Sequence, residues 1–185
     1  MWNQVDIDRW QSELKPLNIQ SNACARDALA YYRQYILNKN LTCPLAYPIE
    51  LAQGHFFALC CRGSGGRKGW ITAAKNAEDA FALIEAGSVE VDDIGGCEFR
   101  RIRDLPLFPD VVHSPHLVGR NPAKCPPKIF FLKRYVHGEN EPRAKVAVMH
   151  LVNDKLRPAS FYSLTLTPKW LNQNAPEILW KKNEG

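Results

Sequence analysis

From Lys128 to Val152 two apolar runs flank one polar break, IFFLKRYV, then GENEPR, then AKVAVMHLV. Both runs are rich in Val, Ile, Phe and Leu with little internal polarity, the pattern of strands covered on both faces. A hairpin over 128–152 at the centre of a sheet is the strongest fold signal in the chain. After it, NDKLRPA turns into SFYSLTLT, a strand over 160–167 in which Tyr162, Leu164 and Leu166 share one face. Upstream, HFFALCC reads as a buried strand, GSGGRKG as a hairpin tip and WITAA as the return, a second hairpin over 55–74.

Helical spacing is clearest at two places. Ala25, Ala28, Leu29, Tyr32 and Ile36 form one stripe behind the caps Ser21 and Asn22, with Tyr31 and Tyr35 on its flank. Lys75 to Asp79 begins a helix that buries Ala80, Phe81 and Ile84 and stops at Gly87. Val5, Trp10 and Leu14 predict a short first helix over 5–15, and Thr167-Pro168 opens another before a tail in which Ile178 and Trp180 dock. CEFRRIRDL alternates apolar and basic residues as a half-exposed strand does. Six prolines between Pro106 and Pro127 predict an ordered loop over 106–127. The expected fold class is therefore α+β, a mainly antiparallel sheet packed with about three helices, in a single globular domain spanning 1–185.

Composition adds little to the fold but constrains the setting. No run approaches the ~18 apolar residues of a membrane helix. MWNQVDIDRWQ is too polar for an export signal, so a cytoplasmic protein with no membrane partner is expected. In that setting the six cysteines read as reduced thiols, with Cys60 and Cys61 as core packing. Charge is the more informative quantity. Of the net +5, the stretch from Arg100 to Lys145 holds ten basic against four acidic residues, and the remainder is close to neutral.

That excess directs attention to polyanions. Arg62, Arg67, Lys68 and Trp70 surround the glycines of the expected tip at 62–70, where backbone N–H groups, cations and a stacking ring can meet a nucleic acid. The tip lacks the Lys-Ser or Lys-Thr ending of a P-loop. Arg100, Arg101, Arg103, Arg120, Lys124 and Arg134 belong to the basic stretch itself. Cys97, His113, His116 and Cys125 have zinc-ligand chemistry, but neither half has Cys-x2-Cys spacing, so no metal or other cofactor is expected. For phosphodiester chemistry without a metal, His113, His116 and His137 offer acids and bases and Tyr162 a hydroxyl, a set of types that any basic protein of this size can supply. The expectation is a nucleic-acid-binding protein, RNA or DNA, whose enzymatic form would be a metal-independent ribonuclease. Whether it is an enzyme stays open. The alternative is an inhibitor or adaptor whose basic face docks on an acidic protein surface.

Overall fold

The structure, a computed structural model, describes residues 1–5, 13–14, 24–37, 39–61, 74–88, 99–136 and 143–182. The α+β class and the mainly antiparallel sheet stand. Strands β2 (Leu117–Asn121), β3 (Lys128–Val136), β4 (Arg143–Val152), β5 (Lys155–Leu164) and β6 (Glu177–Lys181) run in the order β5-β4-β3-β2-β6, every neighbour antiparallel. The expected hairpin at 128–152 is β3–β4 and lies inside the sheet. A two-residue strand β1 (Glu13–Leu14) pairs in parallel with Tyr135 and Val136, beyond the last residue of β3 that β2 reaches. Glu13 and Leu14 are thus a strand where a helix was expected; Val5 is helical, and residues 6–12 and 15 of that expected helix lie outside the described residues.

Period-two alternation gives each strand two inward faces. Ile129, Phe131 and Tyr135 of β3, with Ala147 and Met149 of β4, face a large core built with the N-terminal helices. Phe130 and Leu132, with Val146 and Val148, face a smaller one closed by helix Pro168–Asn174. That helix has the expected start, since the Thr167 hydroxyl accepts from the Trp170 N–H at 3.2 Å. Its C-terminal end is fixed by Asn121, which donates to the Gln173 carbonyl at 3.0 Å, and by Gly119, where a Cβ would come within 2.5 Å of Ala175 Cβ. β4 and β5 are joined by Asn153 and Asp154 with φ of 50° and 57°, a two-residue turn whose twist suits antiparallel strands. This tight turn starts β5 five residues earlier than the expected strand at 160–167.

On the large-core side, helices α1 (Ala25–Tyr31) and α3 (Ala77–Glu85) form as their patterns require. α1 runs on as one π-helical segment, Tyr32–Leu37, and buries the expected stripe of Ala25, Ala28, Leu29, Tyr32 and Ile36. Cys24 is its N-cap; the expected caps Ser21 and Asn22 lie outside the described residues. In α3 the Asn76 side chain caps Asp79 at 2.8 Å, and Gly87 takes a φ of 71° just past the end.

Four further expectations are overturned. His55–Cys60 is helix α2, not the first strand of a hairpin over 55–74. A continuous apolar run fits a buried helix as well as a buried strand, and α2 buries Phe56, Phe57, Leu59 and Cys60. The expected tip and return strand, 62–73, lie outside the described residues. Phe99–Asp104 is helix α4, not a strand. The loop expected over 106–127 contains a 3-10 turn (Leu105–Leu107), helix α5 (Phe108–His113) and β2. Pro106 and Pro109 sit in first turns, where the missing N–H leaves no helical bond unmade. Only residues 122–127 connect elements as a proline-rich loop. Ile178, expected to dock, is 53% exposed, whereas Trp180 packs on the large core. Among the described residues no helix is long and apolar enough to cross a membrane.

Candidate anion cleft over a buried lysine row

Lys133 and Lys145 continue the inward alternation of β3 and β4, so each strand places a lysine where a core residue belongs. They are direct cross-strand partners, and Ser163 of β5 is in turn the partner of Lys145. Both lysine side chains are only 2% exposed, a severe desolvation for an ammonium. Two aspartates six residues apart answer them from above the sheet. Asp104, the last residue of α4, bonds Lys145, and Lys145 also donates to the Ser163 hydroxyl. Asp110 of α5 lies 2.9 Å from Lys133, which donates to Ser114 Oγ at 2.8 Å, while Ser114 and the Tyr135 hydroxyl both donate to Asp110.

Burial opposes ionisation of both aspartates, but their partners outweigh it. Lys145 and Arg103 hold Asp104 below the usual carboxylate range, and Tyr135, Lys133 and Ser114 do the same for Asp110. The row is therefore two internal ion pairs that fasten α4 and α5 to the sheet. Two of the ten cations counted between residues 100 and 145 are thereby inside the fold. Arg103 pairs with Asp104 at 3.1 Å and Arg120 with Glu177 at 2.6 Å, which reduces the exposed excess further.

Beside Asp104 the row opens into a cleft of about 60 Å3 lined by Arg100, Arg101, Asp104, Lys145, Phe161, Tyr162 and Ser163. Helical geometry explains why α4 supplies three of these. A strand would send Arg100 and Arg101 to opposite faces; one helical turn places Arg100, Arg101 and Asp104 on adjacent positions of one surface. Arg101 Nη1 donates to the Cys61 carbonyl and to Ser160 Oγ, both at 3.2 Å, so its guanidinium is held in place. Arg100 is exposed. Burial pushes the Tyr162 phenol up to about 12 against the pull of Arg101, so it is a neutral hydroxyl donor at ordinary pH. Ser163 accepts from Lys145, which leaves its own proton free to point elsewhere. Three cations against one carboxylate give this lining two net positive charges. Its chemistry is that of an oxyanion receptor.

The structure gathers Arg100, Arg101 and Tyr162 from the sequence-predicted set into this cleft. Arg62, Arg67, Lys68 and Trp70 lie outside the described residues, and the chain enters that segment from Cys61, whose carbonyl holds Arg101. Lys124 is exposed in the β2–β3 connection and Arg134 is half-buried on β3. Arg120 and Lys124 stand at the far side of the sheet, β2 being three strands or about 14 Å from β5. The expected single basic face is thus divided.

Neither His113 nor His116 lines the cleft. His113 ends α5 with Nδ1 at 2.8 Å from Thr42 Oγ1. His116 is buried, and its Nδ1 accepts the Arg134 backbone N–H at 3.1 Å, a structural bond. His137 lies outside the described residues, as does Cys97 of the formal ligand set. Among the described residues no three His, Cys, Asp or Glu side chains gather as metal ligands. Sequence reasoning missed Asp104, Asp110, Ser114, Tyr135 and Ser163, and counted Lys145 among the cations of the basic stretch. A lysine on the inward register of each apolar strand was the signal that could have found the row. The chain matches no family model, no curated protein and no solved structure.

Proposed function

We propose that the protein binds a nucleic-acid strand and that the cleft between α4 and β5 takes one of its phosphates. One observation carries this reading: separate elements deliver two guanidiniums and two hydroxyls to one small opening with a net positive lining. Arg100 has no hydrogen-bond or ion-pair partner among the described residues, so its charge is available to a ligand. The segment 62–70, which follows Cys61 in sequence, carries the further cations Arg62, Arg67 and Lys68. In this reading the cleft binds and orients phosphate; no histidine among the described residues lines it to move a proton.

The test is fluorescence anisotropy with random single-stranded RNA and DNA at low and moderate salt, with cleavage scored on gels. Binding that falls steeply with salt and weakens on the order of tenfold in Arg100→Glu is expected. Lys169→Glu, an exposed change on the far helix, serves as the control. No retention at low salt, or equal binding by Arg100→Glu and the wild type, refutes the reading. A stoichiometric complex with an acidic protein, formed without any nucleic-acid affinity, would replace it with the docking alternative.

A further inference from the structure

The size and shape of the cleft between α4 and β5 limit which phosphate enters it. Phe161 is fully buried and the Lys145 and Asp104 side chains are 2% and 4% exposed, so these three close its inner end. Arg100 is exposed and marks the mouth. Counted as room for the centres of water molecules, about 10–15 Å3 holds one water. The 60 Å3 of the cleft therefore takes roughly four to six oxygen-sized groups. A phosphoryl group, with four oxygens around one phosphorus, fits; a sugar or a base does not. An internal phosphodiester enters such a closed end poorly, because the strand continues from both of its ester oxygens. A phosphate at the end of a strand has a single ester bond and turns all its other oxygens inward.

Charge points the same way. Arg100, Arg101 and Lys145 against Asp104 leave the lining two net positive charges. A diester brings one negative charge, whereas a terminal monoester brings about −1.5 to −2 at neutral pH, its second pKa being about 6. Asp104 is bonded to Lys145 and paired with Arg103, so the one carboxylate of the lining is already answered. Ser163 accepts from Lys145 and has its own proton to give.

We infer that the cleft selects the phosphorylated end of a nucleic-acid strand, a terminal phosphate monoester in its dianionic form, over the diesters along the strand. This deepens the nucleic-acid reading of the same cleft and rests on it. The free oxygens of the monoester meet the two guanidiniums and the Ser163 hydroxyl, and its one ester bond leads out past Arg100. Lys145 acts from the inner end as a fixed positive charge.

The test uses one single-stranded oligonucleotide sequence, labelled on an internal base, with a 5′-phosphate, a 3′-phosphate or hydroxyls at both ends. Fluorescence anisotropy with the full chain at fixed, moderate salt gives the three affinities. A phosphate at one end or at either should bind on the order of tenfold tighter than the hydroxyl-ended strand. That advantage should shrink severalfold from about pH 7.5 to about pH 5.5, where the monoester takes up a proton while arginine and the diesters keep their charge. The ratio is the readout, because titration of the protein's own histidines acts on all three strands alike. Arg100→Gln, a change at an exposed position, should remove the advantage. Equal binding of the three strands that still depends on salt and on Arg100 overturns the selection of ends and leaves the nucleic-acid reading standing. No binding of any strand overturns both. An advantage that survives in Arg100→Gln places the strand end elsewhere on the protein and overturns the inference.

Discussion

Replacing Asp104 with Asn tests whether the buried row holds the fold together. The change keeps the shape of the side chain and one acceptor oxygen but removes the negative charge facing Lys145, whose side chain is 2% exposed. Breaking a buried ion pair by removing one partner costs about 3–5 kcal/mol, because the remaining charge is left largely desolvated without a counter-charge. Arg103 cannot help, being a cation itself. Against a total of roughly 5–15 kcal/mol for a typical domain, the loss is a large share of the native stability. Asp110 provides the internal comparison. It has the same chemistry with Lys133, but its side chain is 37% exposed against 4% for Asp104. Asp110→Asn should therefore cost about half as much, since solvent reaches that end of the pair.

The assay is urea unfolding with linear extrapolation, together with the double variant Asp104→Asn/Lys145→Met. Removing both charges should recover most of the stability lost by Asp104→Asn alone, because a packed apolar side chain replaces a buried pair at little net cost. The pH dependence supplies a further check. Both aspartates are held below their unfolded-chain values, so their stabilisation is complete above about pH 4 and is lost as pH falls through the lower native values. Asp104→Asn should flatten that acid limb. A penalty under about 1 kcal/mol, or a double variant as unstable as the sum of its parts, would refute the argument that Lys145 is charged and dependent on Asp104.

Two other substitutions probe local geometry. Gly119→Ala should destabilise by about 1–3 kcal/mol in the same assay, because its Cβ meets Ala175 Cβ at 2.5 Å and the Glu177 carbonyl at 3.3 Å; a neutral result would mean that the helix end can retreat from β2. Asp154→Gly should raise the urea midpoint by roughly 0.5–1 kcal/mol equivalent, since φ of 57° is strained for aspartate and free for glycine. Unchanged or lowered stability would imply that the Asp154 side chain contributes more than its backbone costs.

The sequence by itself determined the parts of this protein that depend on local periodicity and local chemistry. Two apolar runs around one polar break placed the 128–152 hairpin, and the polar start at 75–79 with Gly87 bounded α3, because these signals act within a few residues. Where a local pattern fits two structures, only tertiary context chose between them. The apolar run at 55–60 and the alternating run at 99–104 became helices because their buried residues found a core on one side of an existing sheet. The candidate site shows the same division. Charge counting found Arg100 and Arg101, yet it also counted Lys133 and Lys145 as surface cations, because net charge carries no information about which side of a strand a residue faces. Pairing Lys145 with Asp104 and Lys133 with Asp110 required strand register and the docking of two short helices. Those are contacts between residues up to 41 positions apart, which no window along the chain contains.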